Sequence, residues 1–448
     1  MKKIIMGIFI IMLLFSFNTS TMSTSNNTKS ISFEHNAQND MNLFIVNILS
    51  RVNESMLFNY TQDLVKIGQR YTGSDNCKRA AQYIYEEFQK IGLWVQYNDW
   101  TFRGFNSSNI VATINGTNAS SNAIFVLCAH YDTICHKNGT VYDNVGATDN
   151  AVGVATVLCS AKILSQYTFN HTIRFIAFSG EEIGLLGSYS YAKIAYKQGD
   201  NIVAVINVDE IGYTTSANES LIIAQTARIG DWLSIVSNNI CSQYRDLIDL
   251  SIIPDGYFPG SDHAPFYSFG YDFIFFRTVD WDTSWGHSRY DTLDKVNKPY
   301  HVKTTKLALA MLADLASKPI DIQVIIKNPL EGYVYFFENP LTFVEPWDKL
   351  SRINPEALIN YEVPTILLGS LTVRADVICN DEIESVAFCI DESFMSFDNN
   401  PPYEWKTQGW HYSFLTHPLI GNHLLTVIAS TKSGKLARDQ MDIITCVL

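Results

Sequence analysis

The chain has 448 residues, of which 47% are hydrophobic and 17% charged, and it carries a formal net charge of −13 with no basic block. Two or three domains are expected for that length. The apolar content argues against disorder, and the lack of basic runs argues against a nucleic-acid partner.

Lys2 and Lys3 precede an apolar run from Ile4 to Phe17, and small polar residues follow. This reads as an export signal over residues 1–20, then a Ser/Thr/Asn-rich flexible leader over 21–40. The run is short for a membrane span. No small-x-small cleavage site stands out, so an uncleaved N-terminal anchor stays open beside secretion or display at the cell surface. None of the eight cysteines forms a CxxC pair, which argues against a cysteine zinc site. Export would permit disulfides, yet Cys128 and Cys159 fall inside apolar patterns and read as small buried hydrophobes.

From Met41 to Gly92 the apolar spacing is helical, with a break at Tyr71–Asp75. Strand-like runs follow at Trp94–Tyr97, Asn109–Ile114 and Ala123–Ala129, the last ending in His130-Tyr131-Asp132. After Gly146-Ala147-Thr148-Asp149-Asn150 comes a helix from Ala151 to Tyr167. The strand Ile173–Phe178 then leads to Glu181 and Glu182. Ile202–Val208 ends at Asp209. Beyond a further strand and helix lies an irregular stretch, Pro254–Phe266, which contains Ser261-Asp262-His263. The strand Asp272–Phe276 precedes a loop with His287, and the helix His301–Ser317 follows. Alternating strands and helices predict an α/β domain with a mixed, mostly parallel sheet flanked by helices. Beyond Pro319, short runs rich in β-branched and aromatic residues predict an all-β sandwich.

Five potential metal ligands fall at strand ends or in adjoining loops: His130, Asp149, Glu182, Asp209 and His287. A parallel sheet gathers successive strand ends at one edge. Two imidazoles and three carboxylates can hold two divalent cations if one carboxylate bridges them, and the mixture suits zinc. Two such cations can clamp a carbonyl oxygen and activate a water, and Glu181 is at hand to take a proton. The chemistry implied is attack of water on an amide. The bland reading of Glu181-Glu182 is an acidic first turn of a helix.

His130-Tyr131-Asp132, the stretch Gly146–Gly153, the stretch Gly180–Ser188, Asn207-Val208-Asp209, Ser261-Asp262-His263 and the stretch His287–Thr292 resemble, in order, the motifs of the M28 co-catalytic zinc aminopeptidases, over roughly Leu57 to Lys318. The resemblance implies a zinc exopeptidase fold with two Zn2+ per chain and peptide substrates. It makes Asp149 the bridging carboxylate, Glu182 and His287 the other ligands of one zinc, and His130 and Asp209 those of the second. It makes Glu181 the general base and Asp132 the partner of His130, with a similar supporting role for Asp291. His263 corresponds to a position close to the substrate carbonyl. Glu210 departs from the family, which often has an apolar residue there: it either adds an anionic subsite for the substrate amine or faces solvent. The loop Pro254–Pro259 lacks any cysteine pair that would pin it.

The expected organisation is signal 1–20, leader 21–40, peptidase domain 41–318 and an immunoglobulin-like sandwich 319–448. The last resembles modules attached to exported enzymes, and its role stays open among adhesion to a cell surface or polymer, substrate docking and shielding of the active-site mouth. No stable protein partner is implied. The reading is an exported di-zinc aminopeptidase. Its alternatives are a carboxypeptidase or glutaminyl cyclase on the same scaffold, or a catalytically silent receptor or adhesin.

Overall fold

The computed structural model describes residues 32–33, 41–102, 104–134, 136–137, 140–141, 144–227, 232–330, 332–343, 365–391, 393–407 and 420–446. The predicted signal lies outside the described residues, as does all of the leader but Ser32–Phe33. Those two residues are not free: they pair antiparallel with Ile320–Ile322.

Helices α1 (Leu43–Ser50), α2 (Glu54–Ile67) and α3 (Asp75–Ile91) open the fold. The break between α2 and α3 has a chemical cause at each side. Gly68 ends α2 with a positive φ, and the Ser74 side chain accepts from Cys77 N to start α3. On α3, Cys77, Ala80, Ala81, Ile84 and Phe88 form the buried stripe that the spacing predicts.

Eight strands form one sheet: β1 (Trp94–Phe102), β2 (Phe105–Ile114), β3 (Ala123–His130), β4 (Thr172–Phe178), β5 (Asn201–Val208), β6 (Leu221–Thr226), β7 (Ser251–Asp255) and β8 (Phe273–Arg277). The order is β7-β6-β8-β5-β3-β4-β2-β1. The central four, β8, β5, β3 and β4, are mutually parallel, and β1 and β2 close one side as an antiparallel hairpin. That hairpin is longer than the sequence pattern suggests, because residues 98–108 are mostly polar and carry little strand signature. All eight residues of β3 are buried. Phe125, Leu127 and Ala129 feed one core and Ile124, Val126 and Cys128 the other, so the continuous apolar run records cover on both faces. That cover includes α4 (Val152–Leu164), α5 (Leu186–Gln198), α6 (Trp232–Gln243), α7 (His263–Ser268) and α8 (Lys298–Ser317). Chain order reverses at β3, whose neighbours are β4 on one side and β5 on the other, and crevices open past carboxyl ends at such reversals.

Pro254 and Asp255, expected to be irregular, continue β7. An edge strand tolerates a proline because one side of its ladder needs no donor.

Beyond Ser317 the described chain is all β: β9 (Ile320–Asn328), β10 (Tyr333–Phe336), β11 (Asn339–Phe343), β12 (Thr365–Leu368), β13 (Thr372–Cys379), β14 (Ile383–Ile390), β15 (Ser393–Asp398), β16 (Tyr403–Lys406), β17 (Ile420–Thr431) and β18 (Leu436–Cys446). β9, β13 and β16 form one sheet with Ser32–Phe33, and the others form a second in the order β11-β10-β12-β18-β17-β14-β15. Both sheets supply one core, in which Ile322, Val373 and Trp405 meet Phe388, Val427 and Ile443. The β region meets the α/β unit where the parallel strands begin. Asn201, the first residue of β5, exchanges two amide hydrogen bonds of 3.1 Å with Gln323. Asn122 and Asp272, just before β3 and β8, line the same junction. This is the opposite end from the predicted ligands, so the described residues of the β region do not shield them.

Candidate metal centre

The site grows from the carboxyl ends of β3, β4 and β5. His130 is the last residue of β3, and Asp209 follows β5. Glu181 and Glu182 lie in the turn between β4 and α5, and the helix begins only at Leu186. They are therefore not a helical first turn. The turn is tight because the start of α5 folds back on the strand: a Cβ on Gly187 would stand 2.0 Å from the Ser179 carbonyl oxygen. Asn109 Nδ2 donates to the Gly187 carbonyl, and its Oδ1 accepts from Ser179 N.

Asp149 sits in the π-helical turn before α4 and shows two oxygens to two histidines. Its Oδ1 is 3.2 Å from His130 Nε2, and its Oδ2 is 2.9 Å from His287 Nε2. His130 Nε2 is also 3.2 Å from Asp209 Oδ1, and His287 Nε2 is 3.1 Å from Glu182 Oε2. Donor atoms of His130, Asp149 and Glu182 converge within 4.8 Å, as do those of His130, Glu181 and Asp209.

A second layer fixes these groups. Asp132 accepts from Glu181 N, Glu182 N and Thr72 Oγ1, and its Oδ1 lies 3.6 Å from His130 Nδ1. A partner on Nδ1 orients the ring and leaves Nε2 for the cluster. Asp291 accepts from Thr148 N, Thr148 Oγ1 and Asp149 N, holding the turn that carries Asp149. Ser261 Oγ donates to Asp209 Oδ2, which leaves Oδ1 facing His130. Ile134 N donates to Glu182 Oε1.

Two predicted residues take places the sequence does not specify. His263 is fully buried, stacked 4.6 Å from both Phe273 and Phe275. Its Nδ1 is 3.4 Å from Asn207 Nδ2 and its Nε2 2.6 Å from the Phe258 carbonyl. It stands beneath the site and holds the turn after β7 through the Phe258 carbonyl. Glu210 is half-buried in a left-handed conformation (φ 51°), and burial, Asp149 and Asp209 push its carboxyl well above the usual range.

Arg70 gives no sequence signal. It is fully buried in the break between α2 and α3. Its Nε donates to the Tyr131 carbonyl at 2.6 Å, Nη1 to Val145 O at 2.6 Å and Nη2 to Gly146 O at 3.1 Å. One guanidinium thus clamps the loop after His130 to the turn before Asp149. An isolated arginine in a polar break cannot announce that role.

The charges are unbalanced. Burial, followed by the Glu182 and Asp209 charges, pushes the Glu181 carboxyl well up, although His130 opposes the shift. Burial and Asp149 push Glu182 up to about 8. Burial would also raise Asp149, but its bonds to His130 and His287 outweigh that and hold it well below the carboxylate range. Hydrogen bonds to Asp149 and Glu182 push His287 up to about 12. A nest of buried carboxylates with excess negative charge is stable when cations enter it. Imidazole and carboxylate oxygens facing one another fit zinc.

Residues 109–312 match the family model described as Peptidase family M28. The chain is 26% identical over 287 residues to a probable leucine aminopeptidase of Arthroderma otae, a match covering 61% of this chain and 75% of the relative. It is 25% identical over 334 residues to a probable zinc metalloprotease of Pyrenophora tritici-repentis, covering 61% and 76%. Among solved structures it is similar to the LapA aminopeptidase of Legionella pneumophila, with a TM-score of 0.56 at 20% identity over 65% of this chain and 78% of that one. The stretch that matches the M28 model lies within the α/β unit. The chain is a zinc metallo-aminopeptidase, a hydrolase.

Proposed function

We propose that the enzyme is an exported di-zinc exopeptidase that removes N-terminal amino acids from peptides. The observation that carries the two-metal reading is Asp149, whose two carboxylate oxygens face two different histidines. His130 and Asp209 would hold one ion, Glu182 and His287 the other, with Asp149 shared. When bound, zinc supplies Lewis acidity to the scissile carbonyl and to the attacking water.

The chain's own groups do the rest. Glu181 is the general base. It is flanked by His130 and Asp209, and burial raises its proton affinity, which suits a group that must take a proton from water and return it to the leaving amine. Asp132, through its contacts to His130 and to both glutamate amides, keeps base and ligands in register. Glu210, next to Asp209, receives the substrate ammonium, whose charge favours the ionised carboxylate. Export rests on the apolar run after Lys2 and Lys3. The β region, read as an immunoglobulin-like module, would contact a surface or polymer.

The deciding experiment is hydrolysis of aminoacyl amides, free and N-acetylated, by metal-quantified protein. Turnover of the free amines alone, lost with chelator and regained with zinc at two ions per chain, is expected. Turnover of N-acetylated substrates with a free C-terminus would replace this reading with a carboxypeptidase, and one retained ion with cyclisation of N-terminal glutamine would replace it with a cyclase.

A further inference from the structure

Arg277 lies one residue past the point where β8 leaves its pairing with β5. Val208 stands opposite Phe276, so the parallel ladder sets Arg277 level with Asp209 and on the same face. Asp209 N donates to Phe276 O and Thr278 N to Glu210 O, which carries the ladder across both residues. Arg277 is therefore a neighbour of the acid cluster by backbone register.

Its guanidinium carbon packs over two aromatic rings, 4.9 Å from the centroid of Phe258 and 4.4 Å from that of Trp281. The residue is 7% exposed, yet its Nε has no hydrogen-bond partner among the described residues. The carboxylates whose charge reaches it are Glu210, Asp255 and Asp209. Asp255 is taken up by Gln225 Nε2 and Gly256 N, and Asp209 by Ser261 and His130.

Both aromatic walls are fixed without any ligand. Phe258 folds over Gly260, where a Cβ would come within 2.1 Å of its ring, and its carbonyl is held by His263. Trp281 follows Asp280, whose carboxylate accepts from Thr214, Thr215 and Asn218. Trp281 is 41% exposed, so one wall opens to solvent. A guanidinium packed against aromatic rings keeps its N–H edge for a polar partner, and that edge matches the fork of a carboxylate. A buried donor left unpaired is costly, and a bound carboxylate would satisfy it.

We infer that Arg277, packed against Phe258 and Trp281 beside Asp209, is a specificity-determining residue that receives a substrate carboxylate within one residue of the scissile bond. This rests on the aminopeptidase reading. The carboxylate comes either from an acidic side chain at the N-terminal residue or from the free C-terminus of a dipeptide. In the second case, Glu210 and Arg277 would address opposite ends of one zwitterion.

The test is kcat/KM of the zinc-loaded full chain on two matched pairs: glutamyl against glutaminyl anilide, and leucyl-alanine against leucyl-alaninamide. The wild type is expected to prefer the charged member of one pair by about ten- to a hundred-fold, the worth of a charge-assisted hydrogen bond. The pair that shows the preference identifies the source. Arg277→Met should bring that ratio to near one, with Arg277→Lys in between. A wild-type ratio near or below one in both pairs would overturn the inference without needing any variant, as would an unaltered ratio in Arg277→Met. Failure of the wild type to turn over any free-amine substrate would instead sink the aminopeptidase reading.

Discussion

His130 and Asp209 stand at the ends of adjacent parallel strands with side chains 1% and 10% exposed, whereas His287 rides on a loop and is 59% exposed. The first pair is positioned by the sheet itself, since β3 and β5 are hydrogen-bonded almost to their last residues. The second half depends on loop contacts: Ser288 Oγ donates to the Trp285 carbonyl, Trp285 packs edge-on to Tyr213 at 4.9 Å, and Asp291 ties the loop's end to Thr148. One half of the centre is thus preorganised by packing, and the other is open to incoming substrate. Asp149 is the hinge between them, with one oxygen on each side.

Glu181 is not one of the carboxylates that pair with His287 or bridge the two halves, so Glu181→Gln separates chemistry from assembly. Activity should fall about 10²–10⁴-fold while zinc content by mass spectrometry stays near that of the wild type. Retained activity would remove Glu181 as the base. The contrast between the halves is tested by two alanines. His130→Ala strips the partner from buried Asp149 and Asp209 and should cost about 3–5 kcal/mol of stability in metal-free protein. His287→Ala also takes a partner from Asp149 and Glu182, but removes an exposed ring, and should cost less, about 1–3 kcal/mol, while lowering metal occupancy. Equal losses in urea titrations would show that the two halves are not built differently.

Arg70→Met probes the preorganised side further. It leaves three carbonyl oxygens without their buried donor and should destabilise by about 3 kcal/mol, with weaker zinc binding as the two loops part. A zinc affinity unchanged in a folded variant would mean that the clamp does not set the ligand geometry.

A further effect concerns pH. His301, on α8, is fully buried with Nε2 against the Val152 carbonyl and Thr156, and burial lowers its pKa from 6.5 to about 4. A histidine depressed in the folded state binds fewer protons than the unfolded chain between those two values. Its stabilising share is therefore complete above pH 6.5 and is lost as pH falls towards 4, by at most about 3 kcal/mol. His301→Gln should flatten that part of the stability profile of the metal-free enzyme. An identical profile would relocate the acid sensitivity to other groups.

Much of the site is legible in the sequence itself. His130, Glu181, Glu182 and Asp209 each terminate a buried apolar run, and a run covered on both faces has no alternation to blur its end. Polar residues just past such runs must sit at the sheet's edge. The residues that stay hidden work through tertiary contacts. Arg70 reaches three carbonyls from loops more than sixty residues away. Ser261 acts through one hydroxyl rotor aimed at Asp209. Pro254 reads as a breaker unless one knows that its strand lies on the edge. The β1–β2 hairpin is masked by polar residues because its outer face is solvated.

The amide pair between Asn201 and Gln323 joins the β region to the α/β unit at the foot of a strand whose other end leads to Asp209. Eight residues of strand span roughly 26 Å. The metal centre and the β region therefore lie at opposite ends of the parallel strands, as head and foot. If the foot stands on a surface, the catalytic mouth looks outward into the medium, and peptides reach it without passing between enzyme and support.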